Sequence, residues 1–123
     1  MSDLPRTHRV LYLRGPRAVE LRELAVPRPG PGELLLRVDA ATTCGTDLKV
    51  YLRGGHPRML RAPCPFGHEV CGSVVGCGEG VHGWREGDRL VVANSASCGR
   101  CRWCETEREN LCESGRFTGW HGA

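Results

Sequence analysis

A mainly β fold with one short helix is predicted here from three observations. Gly (17) and Pro (8) make about a fifth of the 123 residues, a content that disfavours a helix bundle and favours short strands joined by turns. Several short stretches alternate apolar and polar residues, and only residues 46–52 read as a helix. At 13.5 kDa the chain is long enough for one domain with a core, and too short for two of average size.

The elements follow in order. Residues 9–14 form a short strand, Gly15-Pro16 a turn, and residues 18–24 a returning strand, so that the chain opens with a hairpin. Pro27, Pro29 and Pro31, with Gly30 and Gly32, mark a rigid crossing that cannot donate a ladder of amides. Residues 33–41 make the next strand, with Leu34, Leu36 and Val38 expected on one side and Leu35, Arg37 and Asp39 on the other. The helix ends at Gly54-Gly55. Pro57, Pro63 and Pro65 make 57–66 a loop. Strands are expected at 69–75 and 89–93, separated by a glycine-rich turn region, 76–87. From Asn94 onward regular patterning stops, and the ending, 117–123, does not resemble a natural terminus, so the chain is expected to stop within a larger protein.

Composition excludes several functions. Hydrophobic residues are 40% and charged residues 25%, an ordinary globular balance. The longest charge-free stretch is ten residues, 90–99, about half of what a membrane-spanning helix requires. The first residues lack the apolar centre of a secretory signal. A cytoplasmic protein is expected, with no membrane partner. Net charge is only +3 and the basic residues are spread along the chain, so no nucleic-acid partner is expected either. Sixteen of the seventeen basic residues are Arg, Lys49 being the exception.

Eight cysteines in a chain with no export signal point to metal ligands or small buried hydrophobes before disulfides. Cys98, Cys101, Cys104 and Cys112 form C-x2-C-x2-C-x7-C. Four thiolates so close in sequence surround a tetrahedral zinc ion and leave no open position, which makes the site structural. The ion would order a lobe of about residues 94–116 that has few large hydrophobes. A ferredoxin-type iron–sulfur cluster requires its fourth cysteine after three residues and before a proline, and Cys112 meets neither condition.

Cys44 follows one strand and His68, with Glu69 beside it, precedes another. Strand ends are where a chain can gather ligands. Thiolate, imidazole and carboxylate all bind zinc, and fewer than four protein ligands leave a catalytic opening. Taken singly, each has a plainer reading: a cysteine after a strand as a small buried hydrophobe, a histidine before a glutamate as a satisfied surface or core residue.

The wider context carries a resemblance. Gly67-His68-Glu69-x-x-Gly72-x-x-x-x-x-Gly78-x-x-Val81, followed by Gly87-Asp88-Arg89, resembles the signature of the zinc-dependent medium-chain alcohol dehydrogenases. Cys44-Gly45-Thr46-Asp47, 24 residues before His68, resembles that family's first zinc-ligand segment, and the four-cysteine cluster its structural zinc lobe. The resemblance implies a GroES-like catalytic domain, a partly open β-barrel, over residues 1–123, with the nucleotide-binding Rossmann half absent and following residue 123. It implies two zinc ions per chain, one structural and one catalytic. Cys44, His68 and Glu69 would be catalytic-zinc ligands, with Glu69 a ligand in some branches and behind the ligands in others. Thr46 would take the alcohol proton, and Asp47 would hold His68 through its far ring nitrogen. Many members carry a histidine five residues after the first ligand cysteine. That histidine passes the proton to solvent; Lys49 stands there in this chain, and His56 is read as a solvated loop residue, with a replacement relay as the alternative.

The implied parent is an NAD- or NADP-dependent dehydrogenase of a small alcohol or polyol, a homodimer or homotetramer, with this chain alone inactive for want of a cofactor site. A non-catalytic zinc-binding module is the alternative. Gly72, Gly76, Gly78 and Gly80 read as turn and close-packing positions and not as phosphate binders, because no strand–GxGxxG–helix unit is present. Cys64, Cys71 and Cys77 read as core or loop fillers, and Trp84 and Trp120 as packing residues.

Overall fold

The computed structural model describes residues 4–57 and 59–117. Trp120 and the tail after residue 117 lie outside the described residues. The opening hairpin pairs β1 (Thr7–Gly15) with β2 (Ala18–Ala25) antiparallel, from Thr7 opposite Ala25 to Leu13 opposite Val19. The crossing through Pro27, Pro29 and Pro31 contains no strand. It is held where the Gly32 N–H donates to the Glu79 carbonyl (2.8 Å) and the Gly30 N–H to the Glu33 carboxylate (2.9 Å).

β3 (Leu34–Thr42) leads into α1 (Gly45–Arg53), one residue longer at each end than the sequence implied. The loop expected at 57–66 contains two short strands, β5 (Leu60–Arg61) and β6 (Cys64–Pro65). β5 pairs with β4 (Gly55–His56), so His56 is a half-buried strand residue opposite Leu60 and not a solvated loop histidine. β6 adds to the free edge of β1, giving the order β2-β1-β6. Runs of two residues carry no readable alternation, which is why pattern alone passes over them.

β7 (Glu69–Cys77) is the centre of the second sheet, flanked by β3 and β8 (Arg89–Val91) in the order β3-β7-β8. Gly72 permits this pairing, because a Cβ there would run into the carbonyl of Arg37 on β3. Gly78 lies as close to the Gly30 carbonyl, and Gly80 turns the chain at φ 74°. The expected two-sidedness of β3 is not kept. Its register against β7 shifts between Leu35 and Leu36 and again between Val38 and Ala40. Leu34, Leu35 and Leu36 are all half-buried while Val38 is 56% exposed.

The core joins the hairpin, α1 and the proline-rich connection. Leu13 of β1, Val50 of α1 and Leu60 of β5 are buried together, with Ala62, Cys64 and Phe66 packed against them. Arg17, in the hairpin turn with φ 57°, donates its N–H to the Tyr51 carbonyl at the end of α1 (2.7 Å). Cys64 therefore fills a core position, and burial pushes its thiol pKa up. Cys71 is half-buried, whereas Cys77 is exposed at a strand end. Trp84, expected to pack, is 47% exposed, and it is the Trp84 carbonyl that meets the Cys77 Sγ (3.9 Å).

Beyond Asn94 the chain is more regular than its sequence implied. β9 (Ser95–Ala96) pairs with β10 (Arg116–Phe117), and between them lie α2 (Arg102–Glu105) and a 3-10 turn, Glu109–Leu111. The expectation of one helix is corrected by this second, single-turn helix. Among the described residues no helix is long and apolar enough to cross a membrane.

Candidate metal centres

Among the described residues, two groups of side chains offer ligand atoms within 4.8 Å of one another: Cys98, Cys101, Cys104 and Cys112, and Cys44, His68 and Glu69. They were the two groups singled out in the sequence.

In the cysteine cluster, Cys101 caps the first turn of α2, Cys104 lies within α2, and Cys112 follows the 3-10 turn. Short helical turns curl the two-residue gaps around one point. The 3-10 turn then brings Cys112 back, where its Sγ accepts from the Cys98 N–H (3.2 Å). The Sγ separations are 3.5 Å for Cys101–Cys104, 3.9 Å for Cys98–Cys104 and 4.0 Å for Cys101–Cys112. A disulfide needs about 2.05 Å. The edge of a regular tetrahedron with zinc–sulfur bonds of about 2.3 Å is about 3.8 Å, so the donor set fits a tetrahedral ion.

The surrounding backbone prepares charged sulfur. The N–H groups of Glu113 and Cys104, pointing at Cys101 Sγ, hold its pKa down at about 6. Cys98 is lowered by the Arg100 N–H first and the Cys112 side chain next. Desolvation, then the neighbouring Cys101 thiol, pushes Cys104 up to about 11. A divalent cation would relieve this crowding of four sulfurs.

The second group is assembled from two strand ends. Cys44 is the N-cap of α1. Its Sγ accepts from the Thr46 N–H (3.3 Å), and its own N–H donates to Asp47 Oδ2 (2.9 Å). Cys-x-x-Asp thus works as a capping box. That role escaped the sequence reading, although the spacing was a usable signal. The other oxygen of Asp47, Oδ1, lies 3.1 Å from His68 Nδ1, and both side chains are buried. His68 Nε2 in turn lies 3.3 Å from Cys44 Sγ. Sulfur and imidazole nitrogen on one tetrahedral zinc stand about 3.6 Å apart. Thiolate, imidazole and carboxylate form a donor set that fits zinc, and three protein ligands leave the shell open.

Glu69 is held by a residue that sequence reasoning missed. The Thr42 hydroxyl donates to Glu69 Oε2 (2.8 Å) across the β3–β7 pair. Thr46 is half-buried in the first turn of α1, while Lys49 is exposed on that helix. An open groove of about 410 Å³ passes Glu69 and Thr42 and is walled by Val70, Val91, Val92 and Asn94. A groove of this volume accommodates a small molecule.

Comparison with known proteins gives a consistent set of matches. Residues 30–123 match the family described as Alcohol dehydrogenase GroES-like domain. The L-threonine 3-dehydrogenase of Pyrococcus furiosus is 40% identical over 101 residues, covering 81% of this chain and 29% of that protein. The L-galactonate-5-dehydrogenase of Escherichia coli K12 is 30% identical over 115 residues, covering 94% of this chain and 33% of that protein. Among solved structures, a candidate zinc-binding dehydrogenase of Sinorhizobium meliloti 1021 bound to NADP superposes with a TM-score of 0.81 at 34% identity, over 94% of this chain and 33% of that one. The chain spans about a third of the length of these relatives.

Proposed function

This chain belongs to the alcohol dehydrogenase GroES-like domain family, and we propose that it is the metal-holding part of a zinc-dependent, NAD- or NADP-dependent dehydrogenase of a small alcohol or polyol. The observation that carries this reading is the linked arrangement of Cys44 Sγ, His68 Nε2 and Asp47. The dehydrogenases among the matched proteins, one of them bound to NADP, support it.

The chemistry supplied by the bound groups would be Lewis acidity from zinc, which eases loss of an alcohol's proton, and hydride acceptance by NAD or NADP. The chain's residues do the rest. Cys44 and Glu69 bring two negative charges that match a divalent ion. Asp47 engages His68 Nδ1, which fixes the tautomer and leaves the Nε2 lone pair facing Cys44. Thr46, whose N–H also secures the Cys44 sulfur, would relay the alcohol proton, its hydroxyl oxygen accepting that proton as its own hydroxyl proton passes to water. The groove beside Glu69, walled by Val70, Val91 and Val92, offers an apolar surface for the carbon chain of a small substrate. Cys98, Cys101, Cys104 and Cys112 would hold a second zinc whose role is structural, ordering about residues 94–116.

The test is a zinc count and a steady-state assay, with a panel of small alcohols, on the full-length protein that carries this chain. Cys44→Ser and His68→Ala are expected to abolish turnover and keep the four-cysteine zinc. Thr46→Ala is expected to lower the rate by about 10² to 10⁴ with metal retained. Full activity in Cys44→Ser or His68→Ala refutes the reading. Tightly bound zinc in a protein that oxidises none of the panel favours the non-catalytic zinc-binding module.

A further inference from the structure

We propose that Thr42 is a positioning residue for Glu69, holding its carboxylate in place as a ligand of the metal at Cys44 and His68; the proposal rests on the metal-site reading above. Thr42 and Glu69 are the last register pair of the β3–β7 ladder. They lie where the chain leaves one strand towards Cys44 and where it enters the other from His68. The hydroxyl donates to Oε2 at 2.8 Å. A glutamate side chain has three rotatable bonds, and freezing them costs free energy unless a contact does so beforehand. With one oxygen tied to β3, the carboxylate swings little, and one of its oxygens lies within 4.8 Å of Cys44 Sγ and a His68 ring nitrogen. Thr42 is exposed at the rim of the groove, so its hydroxyl is not required by the core. A ligand carboxylate hydrogen-bonded from behind is the usual partner of an open metal site, and removing such a bond costs about 10- to 100-fold in metal affinity.

The experiment loads the full chain with cadmium and follows it by ¹¹³Cd NMR and chelator competition, because an all-sulfur site and a sulfur–nitrogen–oxygen site give separate resonances. Thr42→Val keeps the β-branched shape and removes the hydroxyl. It is expected to weaken the mixed site about tenfold and shift its resonance, leaving the four-cysteine signal unchanged, and Thr42→Ser is expected to restore both. In a Glu69→Ala background Thr42→Val is expected to have no further effect on the mixed site, whereas a further loss of similar size there marks a general structural defect and overturns the proposal. An unchanged or tighter mixed site in Thr42→Val overturns the role of Thr42 alone. If the wild-type chain shows only the all-sulfur resonance, the metal-site reading fails and the proposal with it.

Discussion

Asp47 serves the helix and the metal site at once, with one oxygen on the Cys44 N–H at the start of α1 and the other on His68 Nδ1. Asp47→Ala removes the N3 half of the capping box and a ligand support together. The expected costs are about 1 kcal/mol of stability from the cap and a loss of 10- to 100-fold in metal affinity at Cys44 and His68, read by urea unfolding and chelator competition. A second carboxylate shows its linkage in pH. The Ser73 hydroxyl, 2.6 Å from Asp39 Oδ2, holds the Asp39 pKa below 3.8, with desolvation by burial opposing it and Arg37 assisting. A carboxyl depressed in the folded state stabilises above its unfolded pKa, and that contribution disappears as pH falls through the folded value. Ser73→Ala is therefore expected to destabilise at about pH 6 and to unfold at nearly the wild-type urea midpoint at about pH 2.

Among the elements, β7 matters most, because its first residue is Glu69 and its middle residues pair with both neighbours. Gly72 is the residue that lets β3 approach. Gly72→Ala places a methyl group against the Arg37 carbonyl, and the strands must separate or slip. The expected cost is about 1–3 kcal/mol. The same variant is expected to weaken cadmium binding at the mixed site, since slippage moves Glu69 away from Thr42. Urea unfolding with cadmium competition on one preparation checks both. α1 was legible beforehand as a helix after Cys44 and before Gly54, since caps are local. Its capping box lengthened it by one residue at the start, and the left-handed Gly54 (φ 76°) closes it.

In the molecule as a whole, two regions are held by different means. Leu13, Val50 and Leu60 supply an apolar core to the hairpin, α1 and the connection after it. Residues 94–116 contain no buried residue, and only the four cysteines and Trp103 among them are even half-buried. A metal contributing on the order of 10 kcal/mol would replace the core that this segment lacks. Removing metal with a strong chelator is expected to unmask amide hydrogen exchange across 94–116 while β1, β2 and α1 keep their protection. Hydrogen-exchange mass spectrometry measures this, and uniform loss of protection would show that the two regions unfold as one.

How much was readable in advance follows from the range of the interactions. The hairpin, α1 and the C-x2-C-x2-C-x7-C cluster rest on contacts between near neighbours in sequence, and their residue types announce them. Alternation likewise placed β3, the glycine-rich turn region bounded the strand expected at 69–75, and motif spacing brought Cys44, His68 and Glu69 to attention. The contact between Thr42 and Glu69, 27 residues apart, depends on the register of β3 against β7. Neither strand carries that register alone. Val38 is exposed although the alternation of β3 places it with Leu34 and Leu36, because what covers a strand face is set by the elements packed on it and not by the strand's own pattern. The short strands β5 and β6 exist only because a partner strand lies beside them. Local chemistry thus names the ligand candidates, and pairing between distant strands decides which hydroxyl stands behind the carboxylate.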